Sequence, residues 1–121
     1  MAADVIKIDA GLNDFGTQAA ASSAVVALST SGKTVDLEGK DGYILLLFSC
    51  TANDNTITLV GGNGAKGGQD ATLSQLDANK VGGVVIDSAY FMDVSGTNKG
   101  MITIKGKSTT SVQAIELKAG R

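Results

Sequence analysis

The sequence predicts an all-β fold: a single-domain antiparallel β-sandwich or jelly-roll-like barrel of about eight short strands. Three observations lead there. Apolar residues alternate with polar ones over short segments such as residues 34–38, a period of two that belongs to half-buried strands. Clusters of Gly, Asn, Asp, Ser and Thr break those segments at intervals of roughly 8–12 residues, the spacing of a sandwich or barrel. The longest apolar run, Tyr43–Cys50 (Y-I-L-L-L-F-S-C), has the length of a strand and is bounded by Asp41-Gly42 and by residues 51–55 (T-A-N-D-N).

Taken in order, residues 5–9 (V-I-K-I-D) form a short strand with Ile6 and Ile8 on one face. This segment is expected either at a sheet edge or as an arm reaching another chain. Residues 17–24 are rich in Ala, Ser and Thr without a helical apolar stripe, and are read as irregular. Residues 24–28 are a strand ended by Ser29-Thr30-Ser31-Gly32. Residues 34–38 alternate, with Val35 and Leu37 inward and Asp36 and Glu38 outward. A glycine turn over residues 39–42 leads into Tyr43–Cys50.

Residues 56–60 (T-I-T-L-V) follow the polar break at once, so the two runs read as a β-hairpin with a five-residue loop. Residues 61–68 are the most glycine-dense stretch. In residues 71–76, Leu73 and Leu76 suit a helical turn, while the Thr and Ser content suits a strand. Val81–Asp87 is a strand, and Gly82-Gly83 suggest a bulge or bend. Residues 89–94 continue that strand or turn away from it. Met101–Lys105 and residues 110–117 complete the set. Organisation follows: residues 1–40 hold an N-terminal arm and the first strands, a possible attachment region, and residues 41–121 form the β-rich body of one domain.

Composition narrows the chemistry. The 121 residues contain no His, Pro or Trp. Without His, the commonest general base and the commonest transition-metal ligand are missing. With two Tyr and three Phe, there is little material for stacking bases or sugars. The net charge of −2 and the scattered Lys and Arg argue against nucleic acid as a partner. No run approaches the roughly 18 apolar residues of a membrane span, and residues 1–15 lack the apolar core of a signal peptide. The single cysteine, Cys50, reads as a small buried hydrophobe. Neither an enzyme nor a cofactor or metal site is expected.

Several motifs match in letters only. Residues 27–34 (A-L-S-T-S-G-K-T) fit a relaxed phosphate-binding loop, but the strand-like residues 34–38 stand where its helix must start. Residues 62–67 (G-N-G-A-K-G) fit a dinucleotide fingerprint without the βαβ unit it needs. The same stretch opens like a calcium-binding glycine-rich repeat, with Lys66 in place of the aspartate. Asp87 and Asp93 read as strand-end carboxylates, and Asn53, Asp54 and Asn55 as a hairpin turn.

The block from residue 41 to 117 resembles the small β-rich decoration, or cement, proteins of tailed bacteriophage capsids. The likeness rests on an ordered set of pieces: D-G-Y-I-L-L-L-F at 41–48, N-T-I-T-L at 55–59, G-N-G at 62–64 and residues 67–70. It continues with Asp87-Ser88, Tyr90-Phe91, V-S-G-T-N-K-G-M-I-T-I-K-G at 94–106 and the final strand. The resemblance implies a structural virion protein, made in the bacterial cytoplasm, that binds the outside of an assembled shell without catalysis. Its partner would be the major capsid protein, and it would be a homo-oligomer, with a trimer preferred. A tail, head-fibre or adsorption component, or a surface or carbohydrate-binding β module, is the alternative. Val5, Ile6, Lys7 and Ile8 are the expected capsid contact, adding as a strand to a capsid edge. Because Tyr43–Cys50 is apolar on both faces, a neighbouring copy is expected to cover one of them, at Ile44, Leu46 and Phe48.

Overall fold

The computed structural model describes residues 5–7, 25–37 and 42–117, and the described residues are all-β apart from one short 3-10 turn. The strands are β1 (Val5–Lys7), β2 (Val25–Ala27), β3 (Lys33–Asp36), β4 (Tyr43–Cys50), β5 (Thr58–Leu59), β6 (Ala71–Thr72), β7 (Val81–Asp87), β8 (Met101–Lys105) and β9 (Thr110–Glu116). They form two sheets, with orders β1-β3-β8-β5-β6 and β2-β9-β4-β7. All pairs are antiparallel except β1 with β3. The sheets pack as a sandwich and do not close into a barrel.

β4 lies inside its sheet because it can be buried on both edges and one face. It pairs with β7 and β9 over nearly its whole length. Its even-numbered residues Ile44, Leu46, Phe48 and Cys50 point into the core, where they meet Val35, Ile102, Ile104 and Leu59 from the facing sheet. Burying each such aliphatic side chain contributes about 1.5–3 kcal/mol. Val35 and Leu37 are inward as expected, and Cys50 is a buried thiol that donates to the carbonyls of Leu76 and Asp77.

The expected hairpin between residues 43–50 and 56–60 does not form. β4 belongs to one sheet and β5 to the other, so the polar break at residues 51–55 is a crossover between layers. Asp54 anchors that crossover. It is fully buried and exchanges two backbone hydrogen bonds of 2.9 Å with Leu76. Its Oδ1 accepts from the Thr56 amide and hydroxyl, and its Oδ2 from the Lys107 amide and the Thr110 hydroxyl. Burial alone pushes such a carboxyl up, but these hydrogen bonds outweigh it and hold the Asp54 pKa at about 2.

Gly82-Gly83 make no bulge. The β4–β7 register runs unbroken from Tyr43 opposite Asp87 to Ser49 opposite Val81. Here the glycines supply space: a Cβ at Gly82 would crowd Leu76, and one at Gly83 would crowd Leu47. The glycine-dense stretch is a packed loop. A Cβ on Gly67 would fall on the Gly62 carbonyl, and one on Gly62 on the Met92 carbonyl. Asn63 ties this loop to the next, accepting from the Val94 amide and donating to the Ser95 carbonyl. Residues 71–76 resolve as β6 followed by extended chain, and after Ser88–Tyr90 the chain turns away from β7.

Candidate interaction surface

The outer face of the β2-β9-β4-β7 sheet is the surface that the fold leaves apolar. Strand alternation puts Tyr43, Leu45, Leu47 and Ser49 of β4 on it. The registers align them in rows: Ile115, which is itself buried, with half-buried Leu45 and exposed Val85; then Val25, Gln113, half-buried Leu47 and Gly83; then Ala27, Ser111, Ser49 and Val81. Val81 is 72% exposed, Tyr43 59%, Val85 54% and Val25 40%. The strand residues on this face include one charged group, Asp87, at a corner, where its carboxylate caps the Ser88–Tyr90 turn. An apolar, nearly uncharged sheet face is the kind of patch that marks a protein–protein contact.

This reverses the expectation for β4. Ile44, Leu46 and Phe48 are covered by the chain's own second sheet, at 3% exposure or less, so no neighbouring copy is needed there. The face that stays partly exposed is the opposite one, carrying Tyr43, Leu45 and Leu47. The residue types on the two faces are alike, and it is the packing of the second sheet that separates inside from outside.

Val5, Ile6 and Lys7 form β1, paired in parallel with Thr34, Val35 and Asp36 of the same chain. They are an edge strand of the five-stranded sheet rather than a free arm, and β1 has its other edge open in the sheet order. Ile8 lies outside the described residues, as do residues 17–24.

Beside β7 runs a groove of about 310 Å³, lined by Phe48, Ile57, Leu73, Leu76 and Val84 with Gly82 and Gly83 at its rim. Its polar side chains are Ser74 and Gln75, so it brings no acid or general base to bear. Among the described residues, no group of three or more His, Cys, Asp or Glu is placed to hold a metal ion. The Asp54 carboxyl, whose pKa is held at about 2, accepts its hydrogen bonds from Thr56, Lys107 and Thr110 of the same chain. The residues of the two nucleotide-binding motifs take other forms: Lys33 and Thr34 begin a strand, and residues 62–67 are the packed glycine loop.

No protein-family model matches this chain, and none of the curated proteins or solved structures compared with it is significantly similar.

Proposed function

We propose that this chain is a structural virion protein that binds the outside of an assembled phage capsid and stabilises the shell. The observation that carries the reading is the outer face of the β2-β9-β4-β7 sheet, with Tyr43, Val81 and Val85 exposed beside Leu45 and Leu47. The likeness of residues 41–117 to capsid decoration proteins supplies the partner, the major capsid protein. The face docks on the shell and removes apolar surface from water on both sides. Because the protein binds the assembled lattice better than loose subunits, binding stabilises the assembly by linkage. Weak contacts repeated by an oligomer become effectively strong. Neither step requires a catalytic group.

The test is co-sedimentation of the purified protein with undecorated phage heads. Saturable binding, together with a raised temperature of head disruption, is expected. Absence of binding at micromolar protein overturns the reading.

A further inference from the structure

We infer that a second copy of this chain pairs antiparallel with β7, edge to edge, to make a continuous eight-stranded sheet. β7 ends the order β2-β9-β4-β7 and is seven residues long, unbulged and, before Asp87, uncharged. Natural edge strands are usually blunted by a charge, a proline, a bulge or shortness, and β7 before Asp87 has none of these. The Leu117 amide donates to the Tyr43 carbonyl, which turns the odd-numbered residues of β4 toward β9 and the even-numbered ones toward β7. Alternation along β7 then directs the backbone groups of Val81, Gly83, Val85 and Asp87 away from β4. No described residue bonds to them.

The occupant that fits this edge is β7 itself. When two β7 strands run antiparallel with Val84 opposite Val84, all seven residues overlap. Gly82 then faces Ile86, and Gly83 faces Val85, so each glycine lies across from a β-branched residue. Cross-strand pairs of this kind stabilise sheets and compensate for the missing side chain of an edge glycine. The outward-directed residues meet one another in this register, so both copies exchange full pairs of backbone bonds. The register also puts Asp87 opposite Val81, so the strand's one charge is not set against a like charge of the second copy, as it would be in an in-register parallel pair. A two-fold contact closes after two copies, so the assembly is a dimer and not the trimer expected from the resemblance. The outer faces of both copies become one surface.

The test uses the full chain in the absence of shells, so it stands apart from the capsid reading. Analytical ultracentrifugation should show a species of twice the 12.2 kDa chain mass at high concentration, dissociating on dilution. Val84→Cys should form an intermolecular disulfide under mild oxidation, because opposed residues in a non-hydrogen-bonded pair lie about 4.5 Å apart at Cα. Val85→Cys, opposite Gly83, should not. In the unmodified protein, the Gly83 and Val85 amides should exchange about tenfold or more slowly at high concentration than at low. A monomer at all concentrations overturns the inference, and so does a trimer, or a dimer that cross-links at position 85 rather than 84.

Discussion

The Thr110 hydroxyl donates a 2.6 Å hydrogen bond to the Asp54 carboxylate, across 56 positions of sequence. Both residues are fully buried. The bond ties the crossover between the two sheets to the first residue of β9, and the Lys107 amide adds a second tie from the same turn. A carboxylate sealed inside and fully supplied with donors is stable only as a set, because removing one member leaves the others unpaired in a low-dielectric interior.

Asp54→Ala should therefore destabilise the fold by roughly 3 kcal/mol, and Thr110→Val by about 1–2 kcal/mol, as read from urea unfolding midpoints. The double variant should cost less than the sum of the two, since the partners share one network.

The same carboxylate makes stability depend on pH. The pKa of Asp54 falls from an ordinary carboxylate value to about 2 on folding. Its contribution is thus fully present above the unfolded value near pH 4 and is lost as pH falls through the folded value, about 2 kcal/mol in all. Urea titrations at pH 6 and near pH 2 should show that loss in the natural protein. Asp54→Asn should lack this part of the pH dependence. An equal loss in both proteins would mean that Asp54 is not the group responsible.

The glycines should divide by what surrounds them. Gly82→Ala meets the flexible end of Leu76 and should change stability by less than about 1 kcal/mol. Gly67→Ala runs into the Gly62 backbone and should cost about 2 kcal/mol or more, with the loop over residues 61–68 displaced. Thermal unfolding of the two variants, side by side, separates these cases.

The sandwich was legible because period-two alternation and frequent turns survive without any knowledge of pairing. Which elements share a sheet was not. The letters N-D-N at residues 53–55 look the same whether a chain doubles back within one sheet or crosses to another. What decides is a buried partner at Thr110, far away in sequence. The two faces of β4 were equally opaque, since Tyr43, Leu45 and Leu47 are as apolar as Ile44, Leu46 and Phe48. Gly82-Gly83 suggested a bulge because glycine permits one, whereas their use here is to leave room for Leu76 and Leu47. A neighbour was expected over Ile44, Leu46 and Phe48, the side that the chain's own second sheet covers; the apolar face left partly exposed is the other one, carrying Tyr43, Leu45 and Leu47.

That surface gives its own prediction. Tyr43→Lys combined with Val85→Lys should leave stability within about 1 kcal/mol, because both side chains are exposed. Binding to undecorated heads should fall at least about tenfold, since a lysine must be desolvated to enter an apolar contact. Circular dichroism and co-sedimentation on the same preparation check both halves.

The most direct measurement is cryo-electron microscopy of undecorated phage heads mixed with the purified protein. The predicted result is added density at regular sites on the outer shell, with the face carrying Tyr43, Leu45, Leu47 and Val85 turned toward the capsid. Bare shells at saturating protein, or density docked through the β1-β3-β8-β5-β6 sheet, would contradict it.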